Sequence, residues 1–355
     1  MPRKHSILYI RTLCFLLALL PLCTMAQAYR FVPVRSDSVT FLDRDITNFQ
    51  LFPMLVSPIV DKPQPLYPPR APLAELERQW RERVLPALNA VGGSGSETEA
   101  QGYAAVANFY DAQTLWLLTG EARYVDAMER ALTGGLPAAM FSSPDASERL
   151  LCAQAVMDAS QLVYATDTAG LYVNFYLNTM AHVATPQFNF MLDQLTAMPF
   201  GPMVKLRLRV PDGAALPLAL HLRLPEWAVD VPEIYVNGHE ADYDVERGYA
   251  VIRRTWRARD EVYMLFDLSP RLVSDGGNSF LRCGSIVYCP QDSIAADAVA
   301  WVEPAGADTL SRHPLYDLCY QAGSDTVCTR LRPYFETPQP LRRHLHTPGL
   351  RLKEP

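Results

Sequence analysis

The sequence predicts an α+β protein in which a small helical unit is followed by an all-β sandwich. Between residues 73 and 164, apolar side chains recur at intervals of three and four, which is the spacing of one helix face. After Gly170 the pattern changes to short alternating runs separated by turn residues, as is typical of a β-sandwich. With 355 residues, 49% of them apolar, the chain can bury a sizeable core in about two domains.

The first 28 residues have the pattern of a secretory signal peptide. Basic residues precede an apolar run at 13–22, and a small-residue triplet ends at Ala28. Cleavage there predicts a secreted or periplasmic protein that begins at Tyr29. The lipoprotein alternative, acylation of Cys23, is disfavoured by the large Leu22 before it. The apolar run is shorter than the about 20 residues that a membrane span needs, so we expect no span.

Residues 29–72 form a proline-rich N-terminal segment, because repeated proline prevents regular helix. The helical unit follows at 73–169, and glycine or proline breaks separate its helices. The predicted helices are 72–85, 103–118, 121–132 and 146–164.

The sandwich domain is predicted at 170–355. Its expected strands are 171–175, 204–210, 216–224, 234–236, 249–252, 262–268 and 285–288. Within 216–224, leucines alternate with other residues, which assigns the leucines to one buried face. His221 is then expected to face outward and to be no ligand. Trp227, Tyr249 and Trp256 are expected to pack in the core rather than to stack on a sugar.

The net charge limits the classes of partner, and the cysteines indicate where disulfides can form. A formal net charge of −6 argues against nucleic acid as a partner. Two of the seven cysteines lie in the signal peptide, which leaves an odd number in an oxidising compartment. Cys319 and Cys328 flank a hairpin turn, so a cross-strand disulfide is expected. Cys283 and Cys289 lie six apart along one apparent strand and are not expected to pair.

Several strings occur in the order and near the spacings of glycoside hydrolase family 127, the β-L-arabinofuranosidase-like enzymes. They are GLYVN at 170–174, LRLPEWA at 222–228, VNG at 236–238, GY at 248–249 with IRRTW at 252–256, and CGSIVYC at 283–289. Residues 117–130 are similar to the last helices of the family's catalytic toroid. The chain therefore resembles this family over roughly residues 92–353. The resemblance implies that the helical unit is a partial α-helical toroid, the remnant of an (α/α)6 barrel.

The resemblance also implies a chemistry. Family members are retaining exo-acting hydrolases of arabinose-containing glycans that use a zinc-bound cysteine thiolate as nucleophile. One glutamate and three cysteines hold the zinc, and a separate glutamate is the acid/base. Zinc suits this role because a coordinated thiol is deprotonated and the thiolate is the attacking species.

Carried over to this chain, two of the zinc-ligand positions fall on Gln101 and Tyr103, whose amide and phenol are poor zinc donors. The paired cysteines fall near Cys152, which would be the nucleophile, and Glu99 or Glu97 would be the acid/base. One thiol cannot hold the metal that activates it, so we expect no zinc or other cofactor. Cys152 is then expected to be a small buried hydrophobe.

Three functions remain open. The first is a secreted protein of this family, shortened and with an eroded zinc and cysteine site. The second is a non-catalytic glycan-binding protein or accessory to a partner hydrolase, which an exposed aromatic platform would favour. The third is a gene fragment, which large exposed apolar patches would favour. The basic run around His344 and His346 is assigned no role.

Overall fold

The computed structural model describes residues 29–35, 38–42, 60, 62–86, 101–275, 278–290, 300–305, 316–322, 324–334 and 351–352. This part of the chain combines helices with large β-sheets, which confirms the α+β class. None of the helices within these ranges is long and apolar enough to cross a membrane. The predicted signal peptide and the run around His344 lie outside the described residues.

The described residues contain five α-helices. They are α1 (Leu73–Gln79), α2 (Gln101–Thr119), α3 (Ala122–Thr133), α4 (Gly135–Ser142) and α5 (Ala146–Ala159). Helix α1 begins after Pro72 and continues as a π-helix, Trp80–Val84. Helix α5 is capped by Asp145, whose Oδ1 accepts a hydrogen bond from the Ser147 amide at 2.8 Å.

Two helix predictions need correction. Helix α4, which contains Pro137, is absent from the predicted helices, because two glycines follow the third of them and turn residues precede the fourth. The structure tolerates this proline because it lies in the first turn, where its missing N–H has no intrahelical partner to lose. The fourth predicted helix, 146–164, ends at Ala159 in the structure, since Tyr164 begins a strand.

Twenty strands form three sheets in the described residues. They are β1 (Val32–Pro33), β2 (Val39–Phe41), β3 (Tyr164–Thr166), β4 (Gly170–Val173), β5 (Thr179–Ala184), β6 (Asn189–Thr196), β7 (Met203–Arg209), β8 (Leu216–Arg223), β9 (Glu233–Val236), β10 (His239–Glu240), β11 (Asp244–Glu246), β12 (Tyr249–Trp256), β13 (Glu261–Leu265), β14 (Arg271–Asp275), β15 (Asn278–Cys283), β16 (Ile286–Pro290), β17 (Ala300–Pro304), β18 (Tyr316–Ala322), β19 (Asp325–Pro333) and β20 (Arg351–Leu352).

The strands are ordered β1-β3-β4-β8-β12-β11 in the first sheet and β10-β9-β13-β7-β6-β5-β2 in the second. The third sheet has the order β14-β15-β16-β19-β18-β17-β20. Most neighbours are antiparallel, but β4 runs parallel to β8 with Gly170 opposite Ala219.

Side chains between the first two sheets show that they face each other. The Tyr164 hydroxyl on β3 lies 2.7 Å from the Thr179 hydroxyl on β5. The Gln194 amide nitrogen on β6 donates to the same phenol at 3.0 Å. All three side chains are buried, and these hydrogen bonds join the two sheets inside an otherwise apolar layer, although Gln194 Oε1 has no hydrogen-bond partner among the described residues.

The helical unit covers the other face of the first sheet. Trp116 of α2 donates its indole N–H to the Tyr249 hydroxyl of β12 at 2.9 Å, and both side chains are fully buried. Strand β8 therefore lies in the middle of three layers. Its residues 218–223 are all buried, although the leucine alternation predicted one open face.

The prediction that His221 faces outward is therefore wrong. The side chain is 5% exposed and stacks on Tyr172, with ring centroids 3.9 Å apart. Among the described residues its Nε2 has no hydrogen-bond partner. The alternation placed His221 on the face opposite the leucines correctly, but helices rather than water lie against that face.

The burial of His221 predicts an acid-sensitive stability. Burial lowers the pKa of the imidazole to about 4, whereas in an unfolded chain it is about 6.5. Between these values the unfolded chain binds a proton that the folded chain does not. The free energy of unfolding should therefore be fully retained above pH 7 and fall by at most ~3 kcal/mol as the pH decreases from 6.5 to 4.

Urea unfolding of the wild type and of His221→Phe at pH 7.5 and 4.5 measures this term. Phenylalanine keeps the stacking on Tyr172 but does not titrate, so it should lose less stability on acidification than the wild type. If the free energy of unfolding falls equally in both proteins on acidification, the burial of neutral His221 is not its cause.

Two hairpins of the sandwich turn at residue pairs that flank predicted strands. Asn237 and Gly238 have φ angles of 53° and 82°, and Arg247 and Gly248 have φ angles of 51° and 82°. Two consecutive positive φ angles match a type I′ turn, which suits the twist of a two-residue hairpin.

The predicted disulfide between Cys319 and Cys328 is confirmed, and the two residues lie opposite each other in β18 and β19. Cys283 and Cys289 are both buried and are not joined in a disulfide, as expected. The single strand assumed for them is wrong, because the turn at Gly284 places them on β15 and β16.

Candidate functional site

Cys152, the candidate nucleophile, lies in the middle of α5 and is 0% exposed. Burial raises the pKa of its thiol to about 12, and the neighbouring Glu148 carboxylate adds to this effect. A thiol in this state stays protonated at neutral pH, whereas nucleophilic attack requires the thiolate. The surroundings of Cys152 are those of a structural core residue.

The other candidate positions lie near the start of α2. Gln101 is the first residue of that helix, and Tyr103 lies one residue beyond Gly102. Glu97 and Glu99, the candidate acid/base residues, lie outside the described residues, so their role stays a prediction.

Tyr103 and Glu148 join the start of α2 to the start of α5. The Tyr103 phenol donates to Asp145 Oδ2 at 2.6 Å, and its backbone N–H donates to Glu148 Oε1 at 3.1 Å. The other oxygen of Glu148 accepts a hydrogen bond from the Ser143 hydroxyl. Gly102 permits this approach, because a Cβ there would lie 2.6 Å from the Glu148 side chain. The polar groups of this cluster therefore satisfy one another.

This arrangement does not fit a zinc ion. The hydrogen bond to Asp145 raises the pKa of the Tyr103 phenol, so the phenol is a neutral donor. Both oxygens of Glu148 already accept hydrogen bonds, and Cys152 is the one cysteine in the described part of the helical unit, whereas a zinc site needs about four carboxylate, thiolate or imidazole ligands.

One group of residues with side chains close enough to bind a metal ion lies elsewhere in the described part of the chain. It consists of Glu303, Cys319 and Cys328. Its two sulfurs are joined in the disulfide, so neither is a thiolate ligand.

Glu148 was not among the residues predicted from the sequence. Its side chain is 2% exposed and connects α2 to α5. A local signal for it exists, since Asp145 caps α5 and a glutamate three residues after a cap is typical of a helix start. Its contact with Tyr103 spans 45 positions in the chain, and no local pattern indicates it.

A second buried polar cluster joins the helical unit to the sandwich. Arg223 of β8 is 0% exposed and pairs with Asp126 at 2.7 Å and with Glu129 at 2.6 Å, both on α3. The indole N–H of Trp227 donates at 2.8 Å to Glu129 Oε2, which also accepts a hydrogen bond from Arg223 Nη1 at 3.1 Å. Burial raises the pKa of Asp126, and the positive charge of Arg223 opposes this effect. We call these four residues the Arg223 cluster.

The Arg223 cluster explains the string at 222–228 that the sequence singled out. Its arginine and tryptophan contact helix α3, and Trp227 is buried, as predicted. Tyr249 and Trp256 are also buried, which confirms that these aromatic residues pack in the core.

Comparisons with known proteins agree with this architecture. Residues 170–268 match the family model described as β-L-arabinofuranosidase, GH127 middle domain. The search of curated proteins gave no match.

Three solved structures share the fold. A GH127 β-arabinofuranosidase has a TM-score of 0.60 at 22% identity, covering 70% of this chain and 50% of that chain. A GH127 β-L-arabinofuranosidase from Geobacillus stearothermophilus T6 has a TM-score of 0.57 at 19% identity, covering 71% and 50%. A further glycoside hydrolase has a TM-score of 0.56 at 18% identity, covering 71% and 52%.

The chain thus spans about half the length of these solved structures. The match of the middle domain begins at Gly170, the first residue of β4, and includes Arg223 and Trp227. The resemblance to glycoside hydrolase family 127 is therefore confirmed by the match of residues 170–268 to that family's middle-domain model and by the fold shared with these solved structures.

Proposed function

We propose that this protein is an exported GH127-like protein that binds arabinose-containing glycans and does not hydrolyse them through Cys152. The observation that carries this proposal is the complete burial of Cys152, together with a raised thiol pKa of about 12. Without bound zinc to deprotonate it, this buried thiol does not supply the nucleophile for the attack that the family resemblance implies.

The substrate class follows from the names of the proteins that share the fold, two of which are β-arabinofuranosidases. The helical unit is proposed to be a partial (α/α)6 toroid, because five α-helices of the described residues precede the middle-domain match and the chain shares its fold with GH127 structures. Export is supported by the signal-like start and by the Cys319–Cys328 disulfide, which suits an oxidising compartment.

The proposal predicts that Cys152→Ser leaves glycoside hydrolysis unchanged. The purified wild type should carry much less than one equivalent of zinc. It should release no more chromophore from a β-L-arabinofuranoside than the variant does, because neither protein presents a thiolate. Metal analysis and an absorbance assay measure both quantities.

The matched variant Cys152→Ala separates chemistry from folding, since serine introduces a hydroxyl into a buried site and alanine does not. Both variants must first show the circular dichroism spectrum of the wild type. Zinc-dependent hydrolysis by the wild type that disappears in both folded variants would overturn the proposal.

A further inference from the structure

A cleft with a volume of about 400 Å³ lies between the proline-rich segment at 64–70 and helices α2 and α5. Three tyrosines line it, namely Tyr29, Tyr67 and Tyr110. We call it the tyrosine cleft. Its volume falls within the roughly 300–1,000 Å³ typical of small-molecule sites. It is separate from the Arg223 cluster, and none of the residues that line it belongs to the contacts around Tyr103 and Glu148.

Tyr67 gives this cleft an exposed aromatic surface. Its side chain is 63% exposed, among the highest fractions for a large apolar side chain in the described residues. Its backbone carbonyl accepts a hydrogen bond from the Tyr29 hydroxyl, which holds the backbone of Tyr67 in place. An aromatic ring with one solvent-exposed face offers apolar contact area and loses little side-chain conformational entropy on binding. The C–H groups on one face of a sugar ring can stack on it.

The opposite wall is held in place by Asp158, a buried residue of α5. Its Oδ1 accepts a hydrogen bond from the Gln64 amide at 2.8 Å, and its Oδ2 accepts one from the Tyr110 hydroxyl at 2.7 Å. The Gln154 side chain donates to Oδ1 at 2.7 Å. These bonds tie the proline-rich segment to the helices, so a ligand would meet a surface that is already ordered.

The charges of the cleft favour a neutral ligand. Two carboxylates, Asp111 and Asp158, and one guanidinium, Arg70, line it. Asp111 is neutralised by Arg83, whose Nη2 lies 2.7 Å from its Oδ2. The cleft therefore has no cluster of positive charges that would bind an anion. Its carboxylate, amide and hydroxyl groups can form hydrogen bonds with sugar hydroxyls.

We infer that the tyrosine cleft is the glycan-binding site of this protein and takes a neutral, arabinose-containing oligosaccharide that stacks on Tyr67. This inference rests on the proposed function for the identity of the sugar. The aromatic platform and the ordered wall define the class of ligand independently of Cys152.

The test is the affinity of the purified full chain for arabino-oligosaccharides, measured by calorimetry beside a panel of other neutral plant oligosaccharides. Tyr67→Ala should weaken binding about tenfold, because it removes the stacking surface and leaves the backbone bond to Tyr29 in place. Tyr67→Phe should bind within about twofold of the wild type, since the ring remains. Phe141→Ala is the matched control, because Phe141 is 61% exposed outside the cleft and its loss should change nothing.

The outcomes distinguish the cleft from the proposed sugar. If Tyr67→Ala binds arabino-oligosaccharides as well as the wild type does, the cleft assignment is overturned and the proposed function stands. If another neutral glycan binds in a Tyr67-dependent way and arabinose does not, the cleft assignment holds and the proposed sugar is overturned. If the wild type binds no member of the panel, both are overturned.

Discussion

Arg223→Met is expected to destabilise the protein by about 3–5 kcal/mol, because it leaves two carboxylates without their buried partner. Arg223 has no exposed surface and pairs with Asp126 and Glu129 on α3. Methionine fills much of the same volume, so the loss reports the unpaired charge rather than a cavity. Urea denaturation at pH 7 measures the change.

Arg253→Met is the matched control for this prediction. Arg253 also pairs with two carboxylates, Asp244 and Glu246, but its side chain is 47% exposed. Exposed pairs contribute about 0–1 kcal/mol, so this variant should stay near the wild type. Equal losses for the two arginine variants would contradict the role assigned to the Arg223 cluster.

Gly170→Ala should also destabilise the protein strongly, by about 3 kcal/mol or more. A Cβ at this position would lie 2.2 Å from the carbonyl oxygen of Ala219 and 2.9 Å from His221 Nε2. The first of these atoms is backbone in the paired strand β8, so relief requires β4 to move away from its parallel neighbour. Thermal or urea unfolding measures the loss.

Gly213→Ala provides the comparison, because a Cβ there meets no atom within 4 Å. Its φ of +77° adds the backbone strain of a left-handed residue, about 1–2 kcal/mol. Gly170→Ala should therefore cost more than Gly213→Ala. The reverse order would show that β4 and β8 are less tightly joined than the structure indicates.

The class of the fold could be predicted because periodicity is a local property. The leucine alternation of β8 identified its inner face, and Leu218, Leu220 and Leu222 are all buried. The burial of the opposite face could not be predicted in the same way. It depends on α2 and α3, which lie about 100 residues earlier in the chain.

The candidate site shows the same limit. The resemblance identified positions 101, 103 and 152 as those at which chemistry would be expected, and the structure shows where the last two lie. Their surroundings depend on Glu148 and Asp145, which contact Tyr103 across more than 40 residues. The tyrosine cleft was not predicted, because Tyr29, Tyr67 and Tyr110 come from three separate segments that share no motif.

Titration of the purified full chain with a linear arabino-oligosaccharide in a calorimeter tests the central claim most directly. We expect a saturable heat of binding at one site and a baseline that returns to its starting value after every injection. Either the absence of binding heat, or a sustained heat of hydrolysis that Cys152→Ala abolishes, would contradict the proposed function.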